Sequence, residues 1–285
     1  MPKLDPLRVR DVVAAALAED LGAGDATTVA TVAEDRQATA RVQARGQGVV
    51  AGRPVFEAVF HALAPDCRVA GAEDGSSVRA GDVVWRVDGP ARALLAGERV
   101  ALNFAQRLSG IATLTARFVA AVAGTGVAIT DTRKTTPGLR FLEKYAVACG
   151  GGVNHRSSLD AMLLVKENHI ALAGSLERAV RAAQAAAAGR AVEVEVRGLD
   201  EFLEALRLGV PRLLLDHWTP EDVRRAVELR GGEPLPELEV SGNLSLANVR
   251  DYAIPGVRYL SVGELTHSAP AFDLSLLVEA AWSAS

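Results

Sequence analysis

Six short runs of β-prone residues in the second half of the chain constrain its fold more than any other feature. Many of them precede a segment of helical periodicity, and the later runs recur at intervals of about 20–25 residues, the length of one strand and one helix. The pattern predicts at least six parallel strands and hence an α/β barrel, complete or incomplete. The runs span residues 127–129, 162–165, 192–196, 212–215, 238–240 and 258–262.

Polar residues gather at the C-terminal ends of these predicted strands. In α/β barrels the chemistry is carried out at that end, although an open doubly wound sheet also concentrates polar residues there. The pattern therefore predicts one functional mouth and leaves both architectures open. In chain order the residues are Asp131, Arg133, Lys134, Lys166, Glu195, Asp216, Ser241, Gly242, Asn243 and Gly263.

The first part of the chain reads as a small mixed domain. Residues 7–21 have apolar side chains at helical spacing and end at Gly22. Short alternating segments then favour antiparallel strands, and 92–123 forms a long helical region with room for a break at Ser109-Gly110. The alternating segments are 38–44, 48–52, 67–69 and 81–87.

Composition excludes several classes of function. The net charge is −4 and the pI is near 5.8 without a basic tail, which argues against nucleic-acid binding. No apolar stretch approaches the roughly 18–20 residues of a membrane span, and the N-terminus lacks an apolar signal core, so a cytoplasmic protein is expected. Cys67 and Cys149 are expected to be small core residues.

Lysine is scarce, which makes its positions informative. Of 31 basic residues only four are Lys, and Lys134, Lys144 and Lys166 fall in one stretch. A compact ammonium ion is retained there where Arg is used elsewhere. The same stretch also holds Arg133 and Arg156, so a local cationic pocket on an acidic protein is predicted. Such a pocket suits a small anionic substrate.

Carboxylates are expected to face these cations. Glu193 and Glu195 alternate with valines, and a glutamate pointing into a barrel needs a partner or a metal, so a role is predicted for one of the pair. Asp216 follows a buried strand and is either functional or a helix N-cap. The segment 131–138 and the glycines 150–152 suit an anion, although a solvated loop and a plain turn also fit.

Neither a nucleophile nor a transition-metal site is indicated. The sequence lacks a Gly-x-Ser-x-Gly elbow, a Walker loop and a dinucleotide fingerprint. His155 and His169 have no partner at zinc spacing, and His155 beside Arg156 is expected to donate to an oxyanion. Cations with two or three carboxylates indicate transfer of an electrophilic group.

Motifs in order across nearly the whole chain resemble quinolinate phosphoribosyltransferase, the carboxylating nicotinate-nucleotide pyrophosphorylase. The matching blocks are Glu19-Asp20-Leu21-Gly22-x-Gly24-Asp25-x-Thr27-Thr28, Glu98-Arg99-x-Ala101-Leu102-Asn103, Asp131-Thr132-Arg133-Lys134-Thr135-Thr136-Pro137-Gly138-Leu139-Arg140, Lys144-Tyr145-Ala146-Val147, Gly150-Gly151-Gly152-x-Asn154-His155-Arg156, Lys166-x-Asn168-His169-Ile170, Glu193-Val194-Glu195-Val196, Ser241-Gly242-Asn243 and Gly263-x-Leu265-Thr266-His267-Ser268.

The resemblance implies a type II phosphoribosyltransferase-like subunit with two domains. An N-terminal open-faced α/β sandwich would span 1–110 and include the C-terminal tail 267–285, and an incomplete, TIM-like α/β barrel would span 111–266. The family's subunits form homodimers, with Arg99 entering the partner's barrel, and assembly into hexamers stays open. The implied reaction is a pentosyl transfer that joins quinolinate to 5-phosphoribosyl 1-diphosphate with Mg²⁺ and releases carbon dioxide and diphosphate.

The resemblance also implies residue roles. Quinolinate would be bound by Arg99, Arg133, His155, Arg156 and Lys166. Phosphoribosyl diphosphate would contact Lys134, Glu195, Asp216, Ser241, Gly242, Asn243, Gly263 and His267. Glu195 and Asp216 would hold Mg²⁺, partly through substrate and water. Lys134, Lys166, Glu195 and Asp216 would act in catalysis.

Five positions depart from the family pattern, and two rival functions stay open. Ala148 stands where Arg is common, Arg197 where an acid is common, His217-Trp218 where Asn-Met is usual, and Glu264 where Ala is usual. One rival is a same-fold paralogue such as the relative associated with molybdate transport, and another is a phosphoribosyltransferase specific for nicotinate. A lipoyl-type carrier is disfavoured because no Lys occurs between Lys3 and Lys134.

Overall fold

The computed structural model describes residues 2–232 and 234–279, which form two compact units. The first unit comprises Met1–Ala116, Thr136–Gly151 and Ser268–Ser285, and the second comprises Arg117–Thr135 and Gly152–His267. Residues 280–285 of the predicted C-terminal tail lie outside the described residues. The division falls within one long helix and groups 136–151 with the first unit.

The helices and strands follow one another as α1 (Pro6–Leu21), α2 (Ala26–Thr31), β1 (Gln37–Ala44), β2 (Gly48–Val49), α3 (Arg53–Leu63), β3 (Arg68–Gly71), β4 (Ser77–Val78), β5 (Val83–Pro90), α4 (Ala91–Ala121), β6 (Ala128–Thr130), α5 (Arg140–Cys149), β7 (Leu163–Val165), α6 (Glu167–Ala173), α7 (Leu176–Ala186), β8 (Val192–Val196), α8 (Leu199–Arg207), β9 (Arg212–Asp216), α9 (Pro220–Arg230), β10 (Glu237–Ser241), a 3-10 helix (Val249–Tyr252), β11 (Val257–Ser261), α10 (Glu264–His267) and β12 (Leu274–Glu279).

The first unit contains a four-stranded antiparallel sheet in the order β12-β1-β5-β3. Antiparallel strands in this region are therefore confirmed. The sheet packs through Trp85 against Phe56 of α3, with ring centroids 4.7 Å apart. Helix α3 was not predicted, although its buried residues Val55, Phe56, Val59 and Phe60 recur at helical spacing. Its cap is distant in sequence: the Asp74 carboxylate accepts hydrogen bonds from the backbone N–H groups of Gly52 and Arg53.

Helix α4 runs without interruption through Ser109 and Gly110, so the long helical region is one helix and the alternative of two helices does not hold. The buried Ser109 hydroxyl accepts a hydrogen bond from the Ala51 N–H, 3.0 Å away. A Cβ on Gly110 would lie 2.0 Å from the carbonyl oxygen of Pro270. These two residues serve tertiary contacts and do not end the helix. Neither α4 nor any other helix in the described ranges has the length and apolar character needed to cross a membrane.

The second unit contains a six-stranded parallel sheet in the order β6-β11-β10-β9-β8-β7, which confirms the predicted parallel strands. Strands β6 and β7 are the two ends of this order, so the sheet is open between them in the part of the chain that the structure describes. An isolated bridge joins Thr130 to Val153 beside β6. The incomplete barrel follows from this open order.

Two-residue alternation along the strands decides which side chains enter the barrel. On β8 the valines 192, 194 and 196 are buried on one face, and Glu193 and Glu195 share the other. On β9 the positions Arg212, Leu214 and Asp216 are in register with the inner positions of β8 and β10. The inner face is therefore built from polar residues at the carboxyl ends, as the sequence pattern predicted.

Candidate active site

A cavity of about 410 Å³ opens in the second unit, at the carboxyl ends of its parallel strands. It brings together all the predicted quinolinate-binding residues of this unit and four of the eight residues predicted to bind phosphoribosyl diphosphate. Its lining is Asp131, Thr132, Arg133, Lys134, His155, Arg156, Leu164, Lys166, Glu195, Leu214, Asp216, His217, Glu239, Ser241 and Ser261.

The guanidinium groups of Arg133 and Arg156 and the ammonium group of Lys166 make part of the cavity lining cationic. Burial, and secondarily the charge of Arg133, lower the pKa of Arg156 below its usual range. Arg156 Nη1 donates to the carbonyl oxygen of Met162 at 3.0 Å, which directs its side chain. Like charges held this close favour binding of an anion between them.

Lys166 extends from the start of α6 towards the carboxylate side of the cavity. Its ammonium group forms an ion pair with Glu195, and its side chain is 44% exposed. Its backbone N–H donates to Nδ1 of His169 at 2.9 Å, which ties the residue to the first turn of α6. His169, which the sequence grouped with the cationic stretch, thus makes a capping contact in the structure.

The carboxylates of Glu195 and Asp216 also line the cavity. Asp216 Oδ2 accepts a hydrogen bond from His217 Nδ1 at 2.7 Å. Carboxylate oxygens are the ligands that Mg²⁺ prefers, and it completes its octahedron with water and substrate oxygens. Two partly exposed carboxylates at one cavity wall fit that donor set, whereas a transition metal would favour imidazole or thiolate.

A second cavity of about 320 Å³ adjoins the first and shares Thr132, Lys134, Asp216, His217, Ser241 and Ser261 with it. Its loop after β10 has positive φ at Gly242 (101°) and Asn243 (50°), which turns the backbone sharply at the strand end. A Cβ on Gly263 would lie 3.1 Å from His267 Nε2 and 3.3 Å from Lys134 Cδ. The predicted phosphate-binding residues Gly242, Asn243, Gly263 and His267 therefore line one small cavity.

Beneath the first cavity lies a buried charged cluster that sequence reasoning resolved only in part. Glu193 and Glu239 are fully buried and both form ion pairs with Arg212. The Ser261 hydroxyl donates to Glu239, and Glu193 Oε2 lies 3.0 Å from His155 Nε2. The sequence signal for Glu239 was its position between Leu238 and Val240, which resembles that of Glu193 between two valines.

Burial, and then repulsion from Glu193, raise the pKa of Glu239 to about 7. The folded protein therefore binds this proton more tightly than the unfolded chain, whose carboxyl has a pKa of about 4.3. The stabilisation is fully present below that value and is lost as the pH rises through about 7. Between pH 5 and 8 the free energy of unfolding should fall by about 1–3 kcal/mol from this group.

Glu239→Gln should remove this pH dependence, because an amide keeps the hydrogen-bonding capacity without titrating. Urea unfolding of both proteins at several pH values measures the effect. The unmodified protein is expected to lose stability relative to Glu239→Gln as the pH rises. A difference that stays constant from pH 5 to 8 would contradict the raised pKa.

Arg99, the remaining predicted site residue, lies exposed on α4 in the first unit and lines neither of these cavities. The structure explains two of the departures from the family pattern, Arg197 and Trp218. Arg197 pairs with Glu167 and Glu201 at 2.7 and 2.6 Å, so the exchanged charge is balanced locally. Trp218 is buried, and its indole N–H donates to the carbonyl oxygen of Val196. Nothing in the structure explains Ala148.

The comparisons with known proteins agree with this architecture. The family model for the quinolinate phosphoribosyl transferase C-terminal domain matches residues 111–277, and the model for the N-terminal domain matches residues 25–109. The nicotinate-nucleotide pyrophosphorylase [carboxylating] of Mycobacterium leprae is 45% identical over 273 residues, which are 94% of this chain and 96% of that protein. The human protein of the same name is 42% identical over 242 residues, 83% of this chain and 81% of that protein.

A solved structure of NadC from Streptococcus pyogenes superposes with a TM-score of 0.92 at 39% identity, covering 98% of this chain and 100% of that one. The fold is thus that of a type II phosphoribosyltransferase. Within that class the chain belongs to the quinolinate phosphoribosyltransferase family.

Proposed function

We propose that the protein transfers the phosphoribosyl group of 5-phosphoribosyl 1-diphosphate to quinolinate, with decarboxylation, and so forms nicotinate mononucleotide in NAD biosynthesis. The observation that carries this proposal is one cavity whose lining combines the cations Arg133, Arg156 and Lys166 with the carboxylates Glu195 and Asp216. The cations match a substrate with two adjacent carboxylates. The carboxylates match a donor that develops positive charge at its C1.

Quinolinate is assigned to the cationic side. Arg133 and Arg156 can each form paired hydrogen bonds to a carboxylate, and the Lys166 ammonium can bind the second carboxylate as a point charge. His155 lies at the base of this side, with 7% of its side chain exposed.

We assign Arg99 to the site of a partner subunit, so a homodimer is part of the proposal. A cytoplasmic location stays a prediction.

Phosphoribosyl diphosphate is assigned to the region of Glu195 and Asp216 and to the adjoining cavity. The backbone of Gly242, Asn243 and Gly263 would hold the 5-phosphate with His267, and Lys134 would pair with phosphate oxygens from the region the two cavities share. Glu195 and Asp216 would hold Mg²⁺ through carboxylate oxygens. When bound, the ion neutralises the leaving diphosphate.

The reaction then needs no protein nucleophile. The pyridine nitrogen N1 attacks C1 of the ribose as the bond to diphosphate breaks, and Glu195 and Asp216 stabilise the positive charge at C1 by electrostatics. The N1-glycosylated ring is cationic and accepts the electron pair left at C2 when carbon dioxide departs. C2 then takes up one proton, giving nicotinate mononucleotide.

A coupled assay tests the proposal. Purified protein with quinolinate, phosphoribosyl diphosphate and Mg²⁺ is expected to give nicotinate mononucleotide and carbon dioxide, and EDTA is expected to abolish both. Nicotinate in place of quinolinate should give no product, because three cations around a single carboxylate would leave charge unmatched. Turnover of nicotinate would favour the nicotinate-specific rival. Absence of product despite calorimetric binding of phosphoribosyl diphosphate would favour the same-fold paralogue.

A further inference from the structure

Both ring nitrogens of His155 are engaged within the protein. Nδ1 lies 2.8 Å from the backbone nitrogen of Arg156, and Nε2 lies 3.0 Å from Glu193 Oε2. The backbone of the same segment is also held, since the His155 N–H donates to Asp131 Oδ1 at 2.9 Å and the Asn154 amide donates to Asp131 Oδ2 at 2.7 Å. The ring and the backbone of His155 are therefore both held in place at the base of the cavity.

These contacts determine the tautomer of the ring. A backbone N–H can only donate, so Nδ1 must carry a lone pair, and the hydrogen of the neutral ring must be on Nε2. Nε2 then donates to the Glu193 carboxylate. Protonation of Nδ1 would break the bond to the backbone of Arg156, and rotation of the ring would break the bond to Glu193.

The buried cluster supports Glu193 in turn. Arg212 pairs with Glu193 Oε1 at 3.2 Å and also with Glu239, and its guanidinium group stacks on the ring of Tyr259 at 4.1 Å. Ligand atoms of His155, Glu193 and Glu239 lie within 4.8 Å of one another, a spacing that a metal ion could use. Here Arg212 already supplies a positive charge to both carboxylates, so the cluster is completed by the chain's own cation.

We infer that Glu193 and His155 are positioning residues that act through Arg156. The line of contacts runs from Arg212 to Glu193, to the His155 ring, and to the backbone N–H of Arg156. Arg156 is thereby held at its backbone by His155 and at its guanidinium by Met162. This role rests on the proposed function, because its effect is to aim Arg156 at a carboxylate of quinolinate. In this role His155 does not itself donate a hydrogen bond to the substrate, which differs from the expectation drawn from the sequence.

Two amide substitutions at one position separate the positioning role from direct contact. In His155→Asn the side-chain oxygen can take the place of Nδ1 and accept from the Arg156 N–H, but the side chain does not reach Glu193. In His155→Gln the amide reaches the place of Nε2, and the Arg156 N–H loses its acceptor. His155→Ala removes both groups. The readouts are kcat and the separate KM values for quinolinate and phosphoribosyl diphosphate.

His155→Asn is expected to keep the KM for quinolinate within about threefold of the unmodified protein, whereas Gln and Ala raise it about tenfold or more through loss of one positioning hydrogen bond. The KM for phosphoribosyl diphosphate should hardly change in any of the three. A better rescue by Gln than by Asn would overturn the inference and make Nε2 a substrate contact. Equal impairment by all three would overturn it as well.

A double-mutant cycle tests the part played by Glu193. Glu193→Leu keeps the size and removes the acceptor, so it should raise the KM for quinolinate in the unmodified protein and much less in the His155→Asn background. Equal effects in both backgrounds would show that Glu193 does not act through His155.

The tautomer of His155 can also be measured by spectroscopy on the unmodified protein, so this test does not depend on the folding of a variant. Long-range ¹H–¹⁵N spectra of the protein labelled at histidine should show His155 protonated at Nε2 and not at Nδ1. The opposite tautomer would overturn the inference. If the unmodified protein fails to turn over quinolinate, the proposed function falls and the positioning role falls with it. Turnover with the wrong ranking of the variants counts against the positioning role alone.

Discussion

Lys166→Ala is expected to lower kcat/KM for quinolinate by roughly several hundredfold, which corresponds to about 3 kcal/mol or more of lost transition-state binding. The ammonium group is the cation proposed for the second carboxylate of the substrate, and its pairing with Glu195 keeps it directed into the cavity. Its removal leaves that carboxylate without a partner and the Glu195 charge without its counterion. The KM for quinolinate should rise more than that for phosphoribosyl diphosphate.

The matched control is Lys3→Ala, which removes the same charge from an exposed position in the first unit. It should leave the steady-state constants within about twofold of the unmodified protein, since an isolated surface charge contributes little. Lys166→Arg keeps the charge but places a planar guanidinium where a compact ammonium is proposed, so it should recover only part of the loss. An unchanged rate in Lys166→Ala would remove the argument for a dicarboxylate substrate and favour the nicotinate-specific rival.

Asp216→Asn is expected to lower kcat by about a hundredfold or more, since a preorganised charge beside a developing cation contributes strongly to transition-state stabilisation. The substitution preserves shape, and the amide oxygen can still accept from His217 Nδ1, so the loss reports the charge itself. The concentration of Mg²⁺ needed for half-maximal activity should rise. The KM for quinolinate should stay near that of the unmodified protein, because Asp216 is not among the residues assigned to quinolinate.

Asp200→Asn provides the control, as it neutralises an exposed carboxylate in the first turn of α8. Its kcat and Mg²⁺ dependence should match those of the unmodified protein. If Asp216→Asn retains full activity at saturating Mg²⁺, the proposed stabilisation at C1 has to be carried by Glu195 alone. Circular dichroism of each variant verifies that the fold is intact.

The polar mouth of the barrel was predictable from the sequence because strand alternation is a local property and the repeated strand-helix order makes the strands parallel. Once the β-prone runs are recognised, their carboxyl ends must meet at one edge, and residues such as Lys166 and Asp216 follow without knowledge of the packing. The continuity of α4 was not predictable in this way. Ser109 and Gly110 resemble a helix break locally, and only their contacts with Ala51 and Pro270 explain them.

Glu193 and Glu195 differ in role, and the difference shows where prediction from sequence ends. Their alternation with valines on one strand is enough to place both on the face that points into the barrel. Their depths become apparent only in the folded chain, where Glu195 lines the cavity with Lys166 and Glu193 lies one pleat deeper against His155 and Arg212. Depth along a strand depends on which neighbours are in register and how far their side chains reach, and that information is distributed over strands distant in sequence.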